Sequence, residues 1–316
     1  MSDVYVSHLA SALGSDVWSV RQSAAAERLV SAVDALQGAG FERHYICTES
    51  ESGYDLAARA FEASGIEAEA VDLIVYSTCL PQNGSCGDSR DFESGGDVKH
   101  LMRFPASRLQ GEFGMHRATT IGLNQQACTG MLGALRIARN MLRAEAELQR
   151  VLCITADRFP PGAKYEQAYN LISDGAAACQ VSREPAGLRL RDVHHISNGA
   201  MVGASGEQSA ASYFSYSCRV IEELLERTGI HIRDVRWVVP QNVNRTAWQV
   251  LCDLLNLDPS QAYCPPTAAL GHVISADNII NLADLCNSGL LRSGDRILTF
   301  MAGYGSHWQC AMLEAV

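Results

Sequence analysis

The chain lacks the signatures by which several protein classes declare themselves. It carries no Walker loop and no Gly-x-Gly-x-x-Gly, so nothing marks a phosphate cradle. Neither Cys-x-x-Cys nor His-x-x-x-His with ligand spacing occurs, and no metal is expected. No basic run offsets the formal charge of -10, which argues against nucleic acid and anionic membrane as partners, since both need clustered cations. No apolar run approaches the ~20 residues of a membrane span. The start, Met1-Ser2-Asp3-Val4, leads into neither a signal core nor an Arg-rich transit peptide. These absences point to a cytoplasmic protein acting on a small-molecule or carrier-bound substrate.

What remains is ample material for a core. The 316 residues are 47% hydrophobic and 19% charged, enough for two similar-sized units, which we set at 1–182 and 183–316. The 11 cysteines are scattered, odd in number and mostly embedded in apolar segments such as Val151-Leu152-Cys153-Ile154. That pattern fits reduced core thiols better than a disulfide framework.

One cysteine stands apart. Cys128 lies in Gln126-Ala127-Cys128-Thr129-Gly130, among small residues, with a strong helix beginning at once. Free N–H groups and the positive dipole end at a helix start favour thiolate over thiol. The alternative is a thiol that packs as a small hydrophobe.

Along the chain, we read helices over Val17–Leu36, Tyr54–Ala63 and Ser212–Arg227. Strands are expected over 71–76, 150–156, 175–181 and 235–239. Residues 81–100, polar and glycine-rich, read as a substrate-side loop.

Two spacings disclose a duplication. Gly65-Ile66 stands before Val71 as Gly229-Ile230 stands before Val235, an offset of 229 − 65 = 164. The strand from Arg150 resembles the one from Arg296, an offset of 296 − 150 = 146. Under the second offset Cys128 corresponds to position 274, two residues from His272 in Leu270-Gly271-His272. The halves are therefore expected to present a cysteine and a histidine at equivalent helix starts. Such a pair suits thiolate acyl transfer, the imidazole taking the thiol proton; a buried, satisfied histidine is the other reading of His272.

These residues resemble the thiolase superfamily, specifically its ketoacyl-ACP synthase III branch. The blocks that carry the likeness run in order from Gly40-Phe41-Glu42-Arg43-His44 through Phe104-Pro105-Ala106, Ala127-Cys128-Thr129-Gly130 and Ser173-Asp174-Gly175. They continue with Pro240-Gln241-Asn242-Val243-Asn244-Arg245, Leu270-Gly271-His272 and Ala302-Gly303-Tyr304-Gly305. The resemblance implies an α/β fold, two duplicated halves in a five-layered α-β-α-β-α sandwich, normally dimeric, with no permanently bound cofactor. It implies Cys128 as nucleophile, but the family's histidine slot holds Gln241 and its asparagine slot holds His272.

The resemblance further implies an acyl-CoA or acyl-carrier-protein thioester as donor. The aromatic and arginine that grip the CoA nucleotide in the family have no counterparts across residues 32–40, so a carrier protein stands level with CoA. Phe104 falls near the implied dimer contact and acyl pocket, Asn244 and Arg245 near the pantetheine arm. The backbone N–H groups of Cys128 and Tyr304 are the candidate oxyanion hole. Gln241 or Asn242 could join His272 as oxyanion donors, and Asp277 either orients the imidazole or serves as a helix-start partner. The leading reading is condensation of an acyl-Cys128 with a carbon nucleophile, in specialised or fatty-acid-like biosynthesis. Transfer to a hydroxyl or amine, hydrolysis, and a non-catalytic subunit of a synthase heterodimer are the alternatives, with a homodimer as the default assembly.

Overall fold

The structure is a computed structural model describing residues 3–87, 89–201, 203–263, 267–304 and 306–316. It opens with β1 (Tyr5–Leu13), β2 (Asp16–Ser19), α1 (Val20–Ala25), α2 (Val33–Gly38) and β3 (Arg43–Ile46). The single helix expected over Val17–Leu36 is thus a strand and two short helices. Ser19 ends β2 and forms a reciprocal cap with Gln22, and Glu27, at φ 56°, stops α1 within two turns. Helix α3 (Gly53–Ser64) matches expectation, capped by Ser52 with Asp55 at one end and by left-handed Gly65 at the other. Strand β4 (Leu73–Ser77) is buried throughout. The expected open loop over 81–100 instead holds α4 (Ser89–Gly95) between single 3-10 turns. Then come α5 (Pro105–Glu112), β5 (Thr119–Leu123), α6 (Gly130–Ala144), β6 (Arg150–Asp157), the two-residue β7 (Glu166–Gln167) and β8 (Asn170–Leu171), and β9 (Gly175–Ser182).

The later part comprises β10 (Leu188–Ser197), α7 (Gly206–Thr228), β11 (Trp237–Val239), α8 (Arg245–Leu255), α9 (Thr267–Leu270), α10 (Asp277–Asn287), β12 (Arg296–Gly303) and β13 (His307–Ala315). Helix α7 begins six residues earlier than expected, because Ser205 caps it reciprocally with Gln208.

Nine strands form one sheet in the order β11-β12-β13-β10-β1-β9-β6-β4-β5. The duplication is visible in its register: Leu73 pairs with Val151 in parallel β4 and β6, and Trp237 pairs with Ile297 in parallel β11 and β12. Both offsets seen in the sequence recur in those two pairs. β5 has only a trace as counterpart, a single bridge from Val238 to Ala262.

Three apolar cores separate the layers. α3 and α5 pack on one outer face; α7 and α8 pack on the other; α6 and α10 fill the middle with Met131, Leu132, Leu135, Ile279, Leu282 and Leu285. The result is the five-layered α-β-α-β-α sandwich. Each large side chain so buried contributes roughly 1.5–3 kcal/mol. Because α6 is covered on both sides, its first turn and Cys128 lie deep in the molecule.

The ten described cysteines outside position 264 are free thiols, and Cys264 lies outside the described residues. Among the described residues, no helix is long and apolar enough to cross a membrane. Among the described residues, no cluster of three or more His, Cys, Asp or Glu is arranged to hold a metal.

Candidate active site

Cys128 occupies a 3-10 turn, Ala127–Thr129, at the mouth of α6. Ala127 has φ 46°, a conformation costing L-residues roughly 1–2 kcal/mol, so the turn is held by its surroundings. Thr129 donates to the Gln126 carbonyl at 2.7 Å, and Ser275 donates to the Ala127 carbonyl at 3.2 Å. Gly303 approaches from β12: a Cβ there would stand 3.2 Å from the Cys128 nitrogen, so only glycine leaves that N–H its room. Tyr304 follows in an exposed turn, and Gly305 lies outside the described residues.

His272 reaches the same place from the other half. Gly271, at φ 66°, has no room for a side chain, since a Cβ would lie 2.9 Å from the Leu171 carbonyl oxygen. The His272 N–H donates to that carbonyl at 2.8 Å, and the His272 carbonyl accepts from the Ser173 N–H at 2.9 Å. The backbone is thereby pinned on both sides. The position structurally equivalent to Cys128 is Ser275, because the turn Ile274–Ala276 with Ile274 at φ 53° matches Ala127–Thr129. His272 precedes that turn by two residues rather than beginning a helix, and the equivalent of Cys128 falls at 275, one residue beyond the expected 274.

The His272 Nδ1 faces Asp277 Oδ2 at 2.5 Å. The Asp277 carboxylate also accepts from Val273 N–H at 2.7 Å, Asn242 N–H at 2.6 Å and Asn242 Nδ2 at 3.2 Å. A carboxylate at Nδ1 requires a proton there, so the neutral ring turns the lone pair of Nε2 toward Cys128. Burial by itself would lower the His272 pKa. The Asp277 charge and hydrogen bond, then the Cys128 sulfur, outweigh it and raise the value to about 10. For Cys128 the chief influence is a hydrogen bond from the Cys79 thiol. With His272 it overcomes burial and holds the thiol well below its ordinary range. Both shifts favour passage of the thiol proton to the imidazole.

The remaining expected site residues are placed as follows. The Gln241 Oε1 accepts from Ala302 N–H at 2.6 Å, which leaves its Nε2 as the free-facing donor end. Asn242, named with Gln241 as an alternative oxyanion donor, is fully buried with its Nδ2 on Asp277, and its Oδ1 accepts from Asn281 Nδ2 at 2.9 Å. Asn244 is the N-cap of α8, its Oδ1 accepting from Ala247 N–H at 2.9 Å. Arg245 is exposed and packs over Gly40, and Phe104 is exposed at the start of α5. Sequence reading missed Cys79, Asp157 and Asn281; the first two follow β4 and end β6, and no spacing links either to Cys128.

Comparison with known proteins agrees with this architecture. The family model for 3-oxoacyl-[acyl-carrier-protein] synthase III matches residues 124–199, and its C-terminal companion matches residues 225–315. The β-ketoacyl-[acyl-carrier-protein] synthase III of Clostridium perfringens is 23% identical over 305 residues, covering 87% of this chain and 88% of the relative. That of Rhodospirillum centenum is 25% identical over the same shares. Among solved structures, ChlB3, described as an acyltransferase, superimposes with TM-score 0.82 at 22% identity, covering 99% of this chain and 98% of the other. Synthase III from Aquifex aeolicus gives 0.77 at 19% identity, covering 98% and 99%. The chain is a thiolase-fold enzyme and belongs to the 3-oxoacyl-[acyl-carrier-protein] synthase III family.

Proposed function

We propose that this enzyme transfers an acyl group from a CoA or carrier-protein thioester, through an acyl-Cys128 intermediate, to a hydroxyl or amine acceptor. In the first step the Cys128 thiolate attacks the donor carbonyl; the new C–S bond forms, the pantetheine C–S bond breaks, and the imidazolium of His272 protonates the departing thiolate. In the second, neutral His272 takes the proton of the acceptor at Nε2 as its oxygen or nitrogen attacks the acyl carbon, and Cys128 leaves as thiolate. Asp277 holds the imidazole in the tautomer both steps need. The backbone N–H of Cys128, beside Gly303, supports an oxyanion hole completed by the turn at Tyr304.

The observation that carries this reading over condensation is the Asp277 carboxylate on His272 Nδ1. Decarboxylative condensation needs two donors on an enolate oxygen, whereas this geometry gives the neutral ring an acceptor. Condensation keeps some support from the family and from the Gln241 amide, whose Nε2 is a donor. Phe104, Asn244 and Arg245 are proposed on the substrate side by the resemblance alone.

Intact-mass measurement after incubation with acyl-CoA or acyl-carrier protein tests the intermediate. An adduct on wild type but not on Cys128→Ala is expected, and no adduct with any donor would leave a non-catalytic subunit as the reading. Adding hydroxyl and amine acceptors should yield esters or amides; carbon dioxide from a malonyl thioester with a β-ketoacyl product would restore condensation. Free thiols at the ten described cysteines suit a reducing cytoplasm, and the open edge of β5 suits a homodimer.

A further inference from the structure

Gln309 is out of keeping with its strand. Successive side chains of β13 alternate between faces, so Gln309, Ala311 and Leu313 all point into the middle layer, and the latter two join its apolar core. Gln309 is nevertheless a buried carboxamide. Its Nε2 donates to Gln126 Oε1 at 2.9 Å and to Thr129 Oγ1 at 3.0 Å, so it grips the turn carrying Cys128 at both ends. The Thr129 hydroxyl donates its only proton to the Gln126 carbonyl at 2.7 Å and therefore accepts from Gln309, which fixes the amide's orientation. Room is left for this grip, since a side chain at Gly133 would collide with Gln126 Oε1. Among the described residues Gln309 Oε1 has no partner, so the amide's hydrogen bonds all go to the nucleophile turn. A buried amide with an unpaired oxygen destabilises a core relative to an apolar side chain.

The far end of the grip is the β12–β13 hairpin. Gln309 faces Met301 across it, and two residues on, Gly303 faces His307. Gly303 abuts the same turn: a Cβ there would stand 3.1 Å from the Gln126 carbonyl oxygen and 3.2 Å from the Cys128 nitrogen. One hairpin therefore carries the backbone of Gly303 and Tyr304 and also holds the backbone of Cys128. We propose that Gln309 is a positioning residue that sets the gap of the oxyanion hole, locking the Cys128 N–H at a fixed distance from the N–H of Tyr304. Hole donors act within about 2.7–3.1 Å of the oxyanion, so a small shift at this joint changes how much transition-state charge is stabilised. Attack at a carbonyl uses the hole, because the carbonyl oxygen takes up charge as the C–S bond forms. Displacement of iodide from a saturated carbon does not.

This rests on Cys128 as nucleophile and on the oxyanion hole of the proposed function, and the test bypasses the natural donor. Cys128 attacks p-nitrophenyl acetate to give acetyl-Cys128 and p-nitrophenolate, and attacks iodoacetamide to give the carboxamidomethyl thioether and iodide. Peptide mass mapping of Cys128 reads both rates at one pH in wild type, Gln309→Met and Gln309→Leu, with Cys128→Ala as background. We expect acetylation to fall roughly tenfold or more in both variants, toward the ~10²–10³ of a lost hole donor, while alkylation stays within about twofold. A merely structural loss, or a change in thiolate content, lowers both rates together and overturns the proposal. Unchanged acetylation in either variant, or a wild type that p-nitrophenyl acetate leaves unmodified, overturns it too. Should neither variant fold, Thr129→Val cuts the grip at its other end without changing the shape of the side chain, and the same two rates decide. If no acyl-CoA or acyl-carrier protein acylates Cys128 yet the rates part as expected, the acyl-transfer reading falls and the role of Gln309 stands.

Discussion

Asp277 and His272 lie five positions apart and meet at 2.5 Å, carboxylate to Nδ1, with the carboxylate itself tied to two backbone N–H groups. Asp277→Asn keeps the shape but replaces an all-acceptor group with one that also donates, so at least one of those N–H groups loses its partner. We expect transfer to the acceptor to fall by roughly 10²–10⁴-fold, the span of general acid–base assistance, while an acyl-enzyme still forms slowly. Single-turnover mass spectrometry separates the two steps.

His272→Ala should move the nucleophile in the opposite sense to its native bias. Without the imidazolium, the burial that penalises a charged sulfur is less opposed, and the thiolate midpoint rises. Acylation rates that stay nearly flat through neutral pH in wild type should then climb with pH in the variant. Stopped-flow acylation at several pH values reads this.

Gly271→Ala tests the pin behind His272. A residue held at φ 66° with its Cβ 2.9 Å from a carbonyl oxygen costs about 1–2 kcal/mol from the backbone alone. Denaturant unfolding should show at least that loss, with a matching drop in turnover as the imidazole shifts.

Asp157 supplies a stability prediction with a definite sign. Burial, partly offset by its hydrogen bonds, raises its pKa to about 7, above the ordinary 3.8 of the unfolded chain. The folded state therefore binds the proton more tightly, and this residue's contribution is greatest below about pH 4 and is lost as pH rises to about 7. Relative to Asp157→Asn, wild type should lose unfolding free energy between pH 4 and pH 7 and then level off.

The edge of the sheet gives a fifth test. The Thr119 N–H donates to Asp72 and the Leu123 carbonyl accepts from Thr78, so Thr119, Ile121 and Leu123 face inward and Thr120 and Gly122 present N–H and C=O outward. Thr120→Pro removes an outward donor and leaves the ladder to β4 intact. If the proposed dimer forms through this edge, gel filtration should find the variant monomeric and folded.

Much of this was legible in the sequence for particular reasons. Apolar runs such as Val151–Ala156 become strands covered on both faces, where continuous hydrophobicity is required. The glycines at 65 and 229 mark helix ends because both sit left-handed, and the strand offsets survive as registers. The segment from Val17 misled because Ala and Val favour no break, while the capping of Ser19 and the backbone of Glu27 impose one. β1 and β10 lack a clean period because bulges interrupt both. In the candidate site, Cys128 and His272 could be paired from the offsets, but the seat of Asn242 on Asp277 depends on contacts that sequence spacing does not encode.

The strained turns at Ala127 and Ile274 are two copies of one elbow, met face to face. Only one holds a thiol; in the other, Ser275 spends its hydroxyl on the carbonyl of Ala127. The fold thus holds a second seat of the same shape, and that seat buttresses the one bearing the thiol. A chain trimmed to either copy would lose not half of its catalytic apparatus but the mechanical footing of what it kept.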